Sequence, residues 1–155
     1  MRLNHDYVRD ILLFIEEKLD YEDSGSAIPY THKEMSDRKL LNNENFSNYN
    51  KSELIYSLEQ LLQIGFISCS EKPFFHNGNL QNAKIIGITW DGHIFLDNIR
   101  NDTIWNAVKE KSKKVGKVSI TALASAANSL ANAMMTDPNA VNNFLQGIDN
   151  IGKMF

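Results

Sequence analysis

The alternation of apolar and polar positions predicts three helices in the first part of the chain. Residues 6–19 repeat apolar side chains at helical spacing, with most charged residues on the opposite side. The apolar positions are Val8, Ile11, Leu12, Ile15 and Leu19. A polar loop follows, with a short extended piece at residues 27–30, because a residue that precedes proline, here Ile28, is biased away from helix. A second, shorter helix is expected at residues 33–41.

The third predicted helix has clear boundary signals. Asn50 or Ser52 can cap its amino terminus, and Gly65 is a stop signal at its other end. Between these residues lies an apolar stripe made of Leu54, Ile55, Leu58, Leu61 and Leu62. The stripe predicts that one side of the helix packs against a core.

Two β-prone runs follow the third helix. They cover residues 66–70 and 83–89, and the segment between them contains Asn77-Gly78, a dipeptide typical of tight hairpin turns. Helix, short strand, helix, helix and hairpin is the element order of a winged helix-turn-helix. The sequence therefore predicts an α+β fold with a winged helix-turn-helix body.

A further helix is expected directly after the hairpin. Thr89 or Asp91 can cap it, and Gly92 lets the chain bend closely at this point. Its expected core positions are Ile94, Phe95 and Ile99.

Aromatic residues stand out at two places. Trp90 and Trp105 bracket the helix after the hairpin, and we expect both to pin that helix to the sheet through their large buried area. Phe74 and Phe75 are adjacent in the hairpin loop, where both cannot easily face a core. An exposed ring at this position would mark a contact surface.

The last part of the chain has a different composition. Residues 109–117 contain five lysines, whereas residues 118–136 contain no charged residue. The uncharged run carries an apolar stripe at 3,4,3,4 spacing, formed by Ile120, Leu123, Ala127, Leu130 and Met134. We expect this helix to pack on its own domain or on a second copy, and we predict a homodimer or higher oligomer through the stripe. A last helix is expected from Pro138.

Three segments of the chain together resemble a known family. They are RLNHDYVRDILLFIEE at residues 2–17, YNKSELIYSLEQLLQIGFI at 49–67 and ITWDGHIFLDNIRNDTIW at 88–105. In order and spacing they resemble the bacterial domain-of-unknown-function family 2513, which is found often in phages and other mobile elements. The resemblance spans most of residues 1–116 and implies a winged-helix-like fold without a settled activity. The predicted organisation is a winged-helix domain at residues 1–100 and a helical extension at 101–155.

The distribution of charge makes nucleic acid an unfavourable partner for most of the protein surface. The net charge is −3, but residues 109–155 sum to +3, so residues 1–108 sum to −6. Binding to nucleic acid is driven largely by lysine and arginine, which release counterions from phosphates. An acidic body is therefore a poor electrostatic match for DNA.

A candidate DNA surface can still be named from the fold. The third helix would enter the major groove, while lysines of the wing and of the segment after it would meet phosphates. The candidate residues are Lys51, Ser52, Tyr56, Ser57, Gln60, Lys72, Lys84, Lys109, Lys111, Lys113, Lys114 and Lys117. The third helix also carries Glu53 and Glu59, and the alternative is a scaffold helix with a solvated outer face.

The sequence offers little for catalysis, metal binding or a cofactor. The four histidines show no ligand spacing, and the single cysteine, Cys69, cannot form an internal disulfide. No phosphate-binding glycine loop or nucleophile motif is present. We therefore expect a non-enzymatic protein of the cytoplasm without metal or cofactor.

Two functions remain open at this stage, with a third behind them. The first is a DNA-binding regulator of a phage or mobile element. The second is a protein-binding module that uses its acidic surface, with Phe74, Phe75 or the tail helix, to bind a host or phage protein. Membrane attachment through the tail helix is less favoured, because its uncharged run contains several Asn, Ser and Thr residues.

Overall fold

The computed structural model describes residues 2–116 and 118–153, with side chains up to residue 147. Within these residues the protein is α+β, with seven α-helices and small antiparallel sheets. The chain divides into two units, Met1–His93 and Ile94–Phe155. The predicted α+β class is confirmed.

The first unit contains three helices, a short 3-10 helix and seven strands. In chain order they are α1 (His5–Lys18), β1 (Tyr21–Asp23), β2 (Tyr30–His32), β3 (Met35–Ser36), α2 (Asp37–Leu41), the 3-10 helix (Glu44–Phe46), α3 (Lys51–Gln63), β4 (Ile67–Cys69), β5 (Phe74–His76), β6 (Asn79–Gln81) and β7 (Lys84–Ile88). The helix α4 (Trp90–Arg100) then begins in this unit and continues into the second.

The core of the first unit lies where α1 packs against α3 and β7. Burial follows the predicted apolar stripes: Val8, Ile11, Leu12, Ile15, Leu54, Leu58 and Leu61 are completely buried. The cap of α1 is Asn4, whose side-chain oxygen accepts from the backbone N–H groups of Asp6 and Tyr7. The cap of α3 is Asn50 rather than Ser52, and Asn50 Oδ1 accepts from the N–H of Glu53 at 3.1 Å.

A three-stranded antiparallel sheet covers one end of this core. The strand order is β3-β7-β4, so that β7 lies in the centre although it comes last in the chain. Met35 pairs with Ile85, and Ile67 pairs with Ile88. The sheet brings the strand before α2 and the hairpin after α3 into one layer.

Two short ribbons extend beyond the sheet. β5 and β6 form the tip of the hairpin between β4 and β7, and its turn residues Asn77 and Gly78 both have positive φ, 50° and 78°. This geometry confirms the predicted Asn-Gly turn. β1 and β2 form a second ribbon, in which all six residues are exposed.

The segment before α2 differs from the prediction. A helix was expected over residues 33–41 and an irregular loop over most of residues 20–30, but α2 begins at Asp37 and β1 pairs with β2. Ser36 fixes the helix start, because its Oγ accepts from the N–H of Lys39 at 3.2 Å. Met35 is extended because its side chain is buried and its backbone pairs with β7.

The second unit is built from α4, α5 (Asp102–Val115), α6 (Ile120–Met134) and α7 (Ala140–Lys153). The last three helices contact one another in pairs. The last helix predicted from Pro138 is confirmed as α7. None of the described helices is long and apolar enough to cross a bilayer.

The apolar stripe on α6 was predicted to form an interface with a second copy, and its burial within the chain corrects this prediction. Ile120, Leu123, Ala127 and Leu130 are at most 3% exposed within the single chain. They therefore serve the core of their own unit, where α6 meets α5 and α7, and cannot form the proposed interface with a second copy. Met134, the last residue of the stripe, is 36% exposed.

The predicted burial of Trp90 and Trp105 is confirmed for one of the two rings. Trp105 is 1% exposed, as expected of a residue that anchors a helix. Trp90 is 79% exposed, so the prediction of burial is wrong for this ring. Of the core positions expected after the hairpin, Phe95 and Ile99 are buried, but Ile94 is 42% exposed.

Candidate nucleic-acid interface

The outer face of α3 carries uncharged polar side chains. Ser52 and Gln63 are exposed, while Tyr56 and Gln60 are half-buried. At 100° per residue these four positions fall within one narrow sector of the helix, opposite the buried leucines. Gln60 Nε2 donates to Gln63 Oε1 at 3.3 Å, which holds two amides side by side near the end of the helix.

The two carboxylates of α3 are engaged inside the unit. Glu53 Oε2 accepts from Asn4 Nδ2 at 3.0 Å, which ties α3 to the start of α1. Glu59 Oε1 accepts from the backbone N–H of Leu80 at 3.3 Å, which ties α3 to the β5–β6 ribbon. Both glutamates therefore border the polar face and hold neighbouring elements in place.

Two of the predicted α3 contacts have structural roles. Lys51 Nζ donates to the backbone oxygen of Leu41 and to Asn42 Oδ1, and so connects the start of α3 with the end of α2. Its third N–H remains for an outside acceptor. Ser57 is completely buried and its Oγ donates to the backbone oxygen of Glu53, so its selection as a DNA contact is corrected.

The hairpin after α3 carries Lys72 before β5 and Lys84 at the start of β7. Lys72 is exposed, whereas Lys84 Nζ lies 3.0 Å from Glu71 Oε1. The hydrogen bond and the charge of Glu71 raise the pKa of Lys84. Phe74 is 62% exposed and Phe75 is 37% exposed, as expected of rings in a contact surface.

The lysines after residue 108 belong to the second unit and have different surroundings. Lys109 lies over the Trp105 ring at 5.5 Å, and Lys111 over the Phe144 ring at 4.0 Å. Lys114 lies 4.0 Å from Glu110, and Lys113 is exposed. Lys117 falls outside the described residues.

Two cations that the sequence reasoning missed lie on α2. Arg38 and Lys39 are exposed on this short helix, just before the residues that Lys51 contacts. The carboxylate beside them, Asp37, is buried. The sequence does contain a signal for them, because two adjacent cations lie at the start of a capped helix. The prediction of a longer helix over residues 33–41 obscured that start.

The groups that could bind a metal or act as nucleophiles are dispersed. In the described residues, no three His, Cys, Asp or Glu side chains come together as a metal site. Burial, with a smaller contribution from Asp37, raises the pKa of the Cys69 thiol to about 11. This thiol is therefore protonated at neutral pH.

The family comparison covers the first unit and continues through α5. A family model described as Hypothetical protein (DUF2513) matches residues 2–118. The chain belongs to the domain-of-unknown-function family 2513. A Haemophilus influenzae relative described as an uncharacterized protein is 29% identical over 137 residues, which is 87% of this chain and 99% of the relative. No solved structure matches the chain.

Proposed function

We propose that this member of family 2513 is a non-enzymatic winged-helix protein that binds DNA, with α3 as the recognition helix and the β5–β6 ribbon as the wing. The arrangement of α1, β3, α2, α3 and the long hairpin in the order β3-β7-β4 supports this assignment. By analogy with the common use of such domains, we further propose a regulatory role in a phage or other mobile element.

The engagement of both α3 carboxylates is the observation that carries the proposal. Free glutamates on a recognition helix would repel phosphates and disfavour most base edges. Glu53 and Glu59 keep their charge, but their hydrogen bonds to Asn4 and Leu80 hold them at the borders of the face, so the face between them presents hydroxyl and amide groups. Glutamine and serine at such positions can hydrogen-bond base edges in the major groove.

The α2–α3 region carries three exposed cations, although the first unit as a whole is acidic. Seven carboxylates of this unit lie on α1 and around β1: Asp6, Asp10, Glu16, Glu17, Asp20, Glu22 and Asp23. The α2–α3 region carries Arg38, Lys39 and Lys51 together with the exposed Glu44, the buried Asp37 and the hydrogen-bonded Glu53 and Glu59. Arg38, Lys39 and Lys51 are the groups of this region that can contact phosphates in the proposed complex.

A salt titration of DNA affinity tests the proposal. The full chain is mixed with a fluorescent mixed-sequence duplex and the anisotropy is followed at increasing salt. Contacts by Arg38, Lys39, Lys51 and Lys72 predict a slope of log affinity against log salt of roughly −2 to −4, at about −0.9 per phosphate. Lys39→Gln should weaken binding and reduce the slope by about 1.

A matched variant makes the titration specific. Lys33→Gln removes the same charge from an exposed lysine outside α2 and α3, and it should leave the affinity unchanged. The proposal fails if no binding is seen at low salt, or if Lys33→Gln weakens binding as much as Lys39→Gln. It also fails if Lys113→Glu with Lys114→Glu removes all binding while Lys39→Gln has no effect.

A second candidate function is favoured by the exposed rings. Phe74, Phe75 and Trp90 all reach solvent in the first unit, and exposed apolar side chains of this size are typical of surfaces that bind proteins. A protein-binding module would show negligible DNA affinity at any salt concentration. The same titration therefore separates the two functions.

A further inference from the structure

The first unit has an open cavity on α1 that the DNA proposal does not use. Its volume is about 190 Å³, and it lies between α1 and the chain around the 3-10 helix. Asp10, Leu13 and Glu17 line it from α1. Residues that are three or seven positions apart lie on the same face of a helix. Asn45 and Tyr49 line it from the other side.

The floor of the cavity is aromatic. The rings of Phe14 and Phe46 are 5.1 Å apart in an edge-on arrangement, and Phe46 meets Tyr49 at 5.2 Å in the same way. Phe14 and Phe46 are each 5% exposed, so their packing fixes the position of the floor. The faces of aromatic rings carry partial negative charge and attract cations.

The acidic groups of the cavity are positioned differently. Asp10 Oδ2 accepts from the Tyr49 hydroxyl at 2.6 Å, which fixes the carboxylate and leaves its second oxygen to accept from a ligand. Glu17 is exposed and pairs with the neighbouring Lys18 at 2.7 Å. An exposed pair of this kind is weak, so a ligand cation can replace Lys18 at little cost.

We propose that this cavity binds the guanidinium group of an arginine side chain on a partner protein. Two carboxylates and an aromatic floor select a cation. The α-carbons of Asp10 and Glu17 are about 10.5 Å apart along α1, which leaves room for a planar group between their side chains. A guanidinium has five donors in a plane that can stack on an aromatic ring, whereas an ammonium has three donors and attracts a ring only as a point charge.

Because the cavity is open to solvent, it can accept a side chain that a larger partner presents. Besides the lining residues Asp10 and Glu17, α1 carries the carboxylates of Asp6 and Glu16, and this negative charge would attract a basic segment. The proposal does not depend on DNA binding, because α1 presents a different group of residues from α3. Either activity can therefore fail without the other.

A titration by NMR tests the proposal on the full chain. The probe is the capped tripeptide acetyl-Gly-Arg-Gly-amide, added to ¹⁵N-labelled protein. Saturable shifts are expected at the amides of Asp10, Leu13, Glu17, Asn45 and Tyr49, with roughly millimolar affinity because one side chain makes all the contacts. The lysine peptide should bind several-fold more weakly, and the citrulline peptide, which has no charge, should not bind.

Charge-matched variants complete the test. Glu17→Gln should weaken binding of the arginine peptide about three- to tenfold, because it removes one charge-assisted hydrogen bond. Glu22→Gln, in the exposed strand β1, makes the same chemical change outside the cavity and should have no effect. Equal effects of the two variants, shifts outside the cavity, or equal binding of citrulline and arginine peptides would each overturn the proposal.

Discussion

At the scale of single residues, the phenol of Tyr49 shows how burial and a hydrogen bond act together. Burial disfavours the phenolate, and the hydroxyl donates to the Asp10 carboxylate, whose charge also opposes ionisation. All three effects raise the pKa of Tyr49 above its usual value of 10.0. The hydroxyl therefore remains a donor throughout the range in which the protein would work.

This shift predicts a loss of stability in alkali. Because the pKa of Tyr49 is higher in the folded than in the unfolded chain, its stabilising effect is complete below about pH 10 and is lost as the pH rises further. Titration of the tyrosine absorbance, in the native protein and in the Tyr49→Phe variant, reports whether Tyr49 ionises at its usual pKa. The two proteins should gain the same phenolate signal up to about pH 11. A smaller gain in the variant near pH 10 would show that Tyr49 titrates normally.

At the scale of elements, the junction between β7 and α4 depends on one glycine. Thr89 Oγ1 accepts from the N–H of Gly92 at 3.2 Å and donates to the backbone oxygen of Gly65 at 2.6 Å. These bonds hold the start of α4 against the end of α3. A Cβ at Gly92 would collide with the backbone oxygen of Phe66 and lie 2.6 Å from Ile88 Cγ2.

The substitution Gly92→Ala tests this junction. Since the closest obstacle is backbone, the first unit must shift, and we expect the free energy of unfolding to fall by about 2–3 kcal/mol. Gly147→Ala is the control, because no atom lies within 4 Å of its Cβ and α7 should gain about 0.5–1 kcal/mol from alanine. Urea unfolding followed by circular dichroism measures both. Equal stability of the two variants would contradict the close approach.

The predictability of each element follows from how much of its stability is local. α1 and α3 have apolar stripes at helical spacing, and most of these residues are buried as the sequence predicts, whereas the stripe on α6 is buried within its own unit instead of forming the predicted interface. The β1–β2 ribbon has no such pattern, because all its side chains are exposed and pairing of the backbone defines it. The start of α2 depends on Ser36 and on pairing of β3 with a strand about fifty residues later, which no local pattern reveals.

The candidate sites likewise combine features that a local sequence pattern reveals with features that depend on residues distant in the chain. The polar positions of α3 could be chosen from the sequence because they lie opposite its leucines, although Ser57 falls on the buried side. The engagement of Glu53 and Glu59 could not be predicted, since Asn4 and Leu80 are distant in the chain. The α1 cavity was missed because its floor needs Phe46, from a turn of 3-10 helix in the Asn-rich segment.

At the scale of the whole molecule, charge is distributed unevenly between the two units and within the first. The first unit sums to −5 and the second to +2 over the full sequence. Within the first unit, seven carboxylates lie on α1 and around β1, while the α2–α3 region carries three cations and several amides beside four carboxylates. A DNA contact through α3 and a basic protein contact through α1 are therefore compatible in one chain.

Mapping of the DNA contact by NMR tests the central claim of a recognition helix most directly. A short mixed-sequence duplex is added at low salt to the ¹⁵N-labelled full chain. The account predicts saturable shifts at the amides of α2, of Ser52, Tyr56 and Gln60 in α3, and of the β5–β6 ribbon, with little change along α1. An unchanged spectrum, or shifts confined to the lysines of α5, would contradict it.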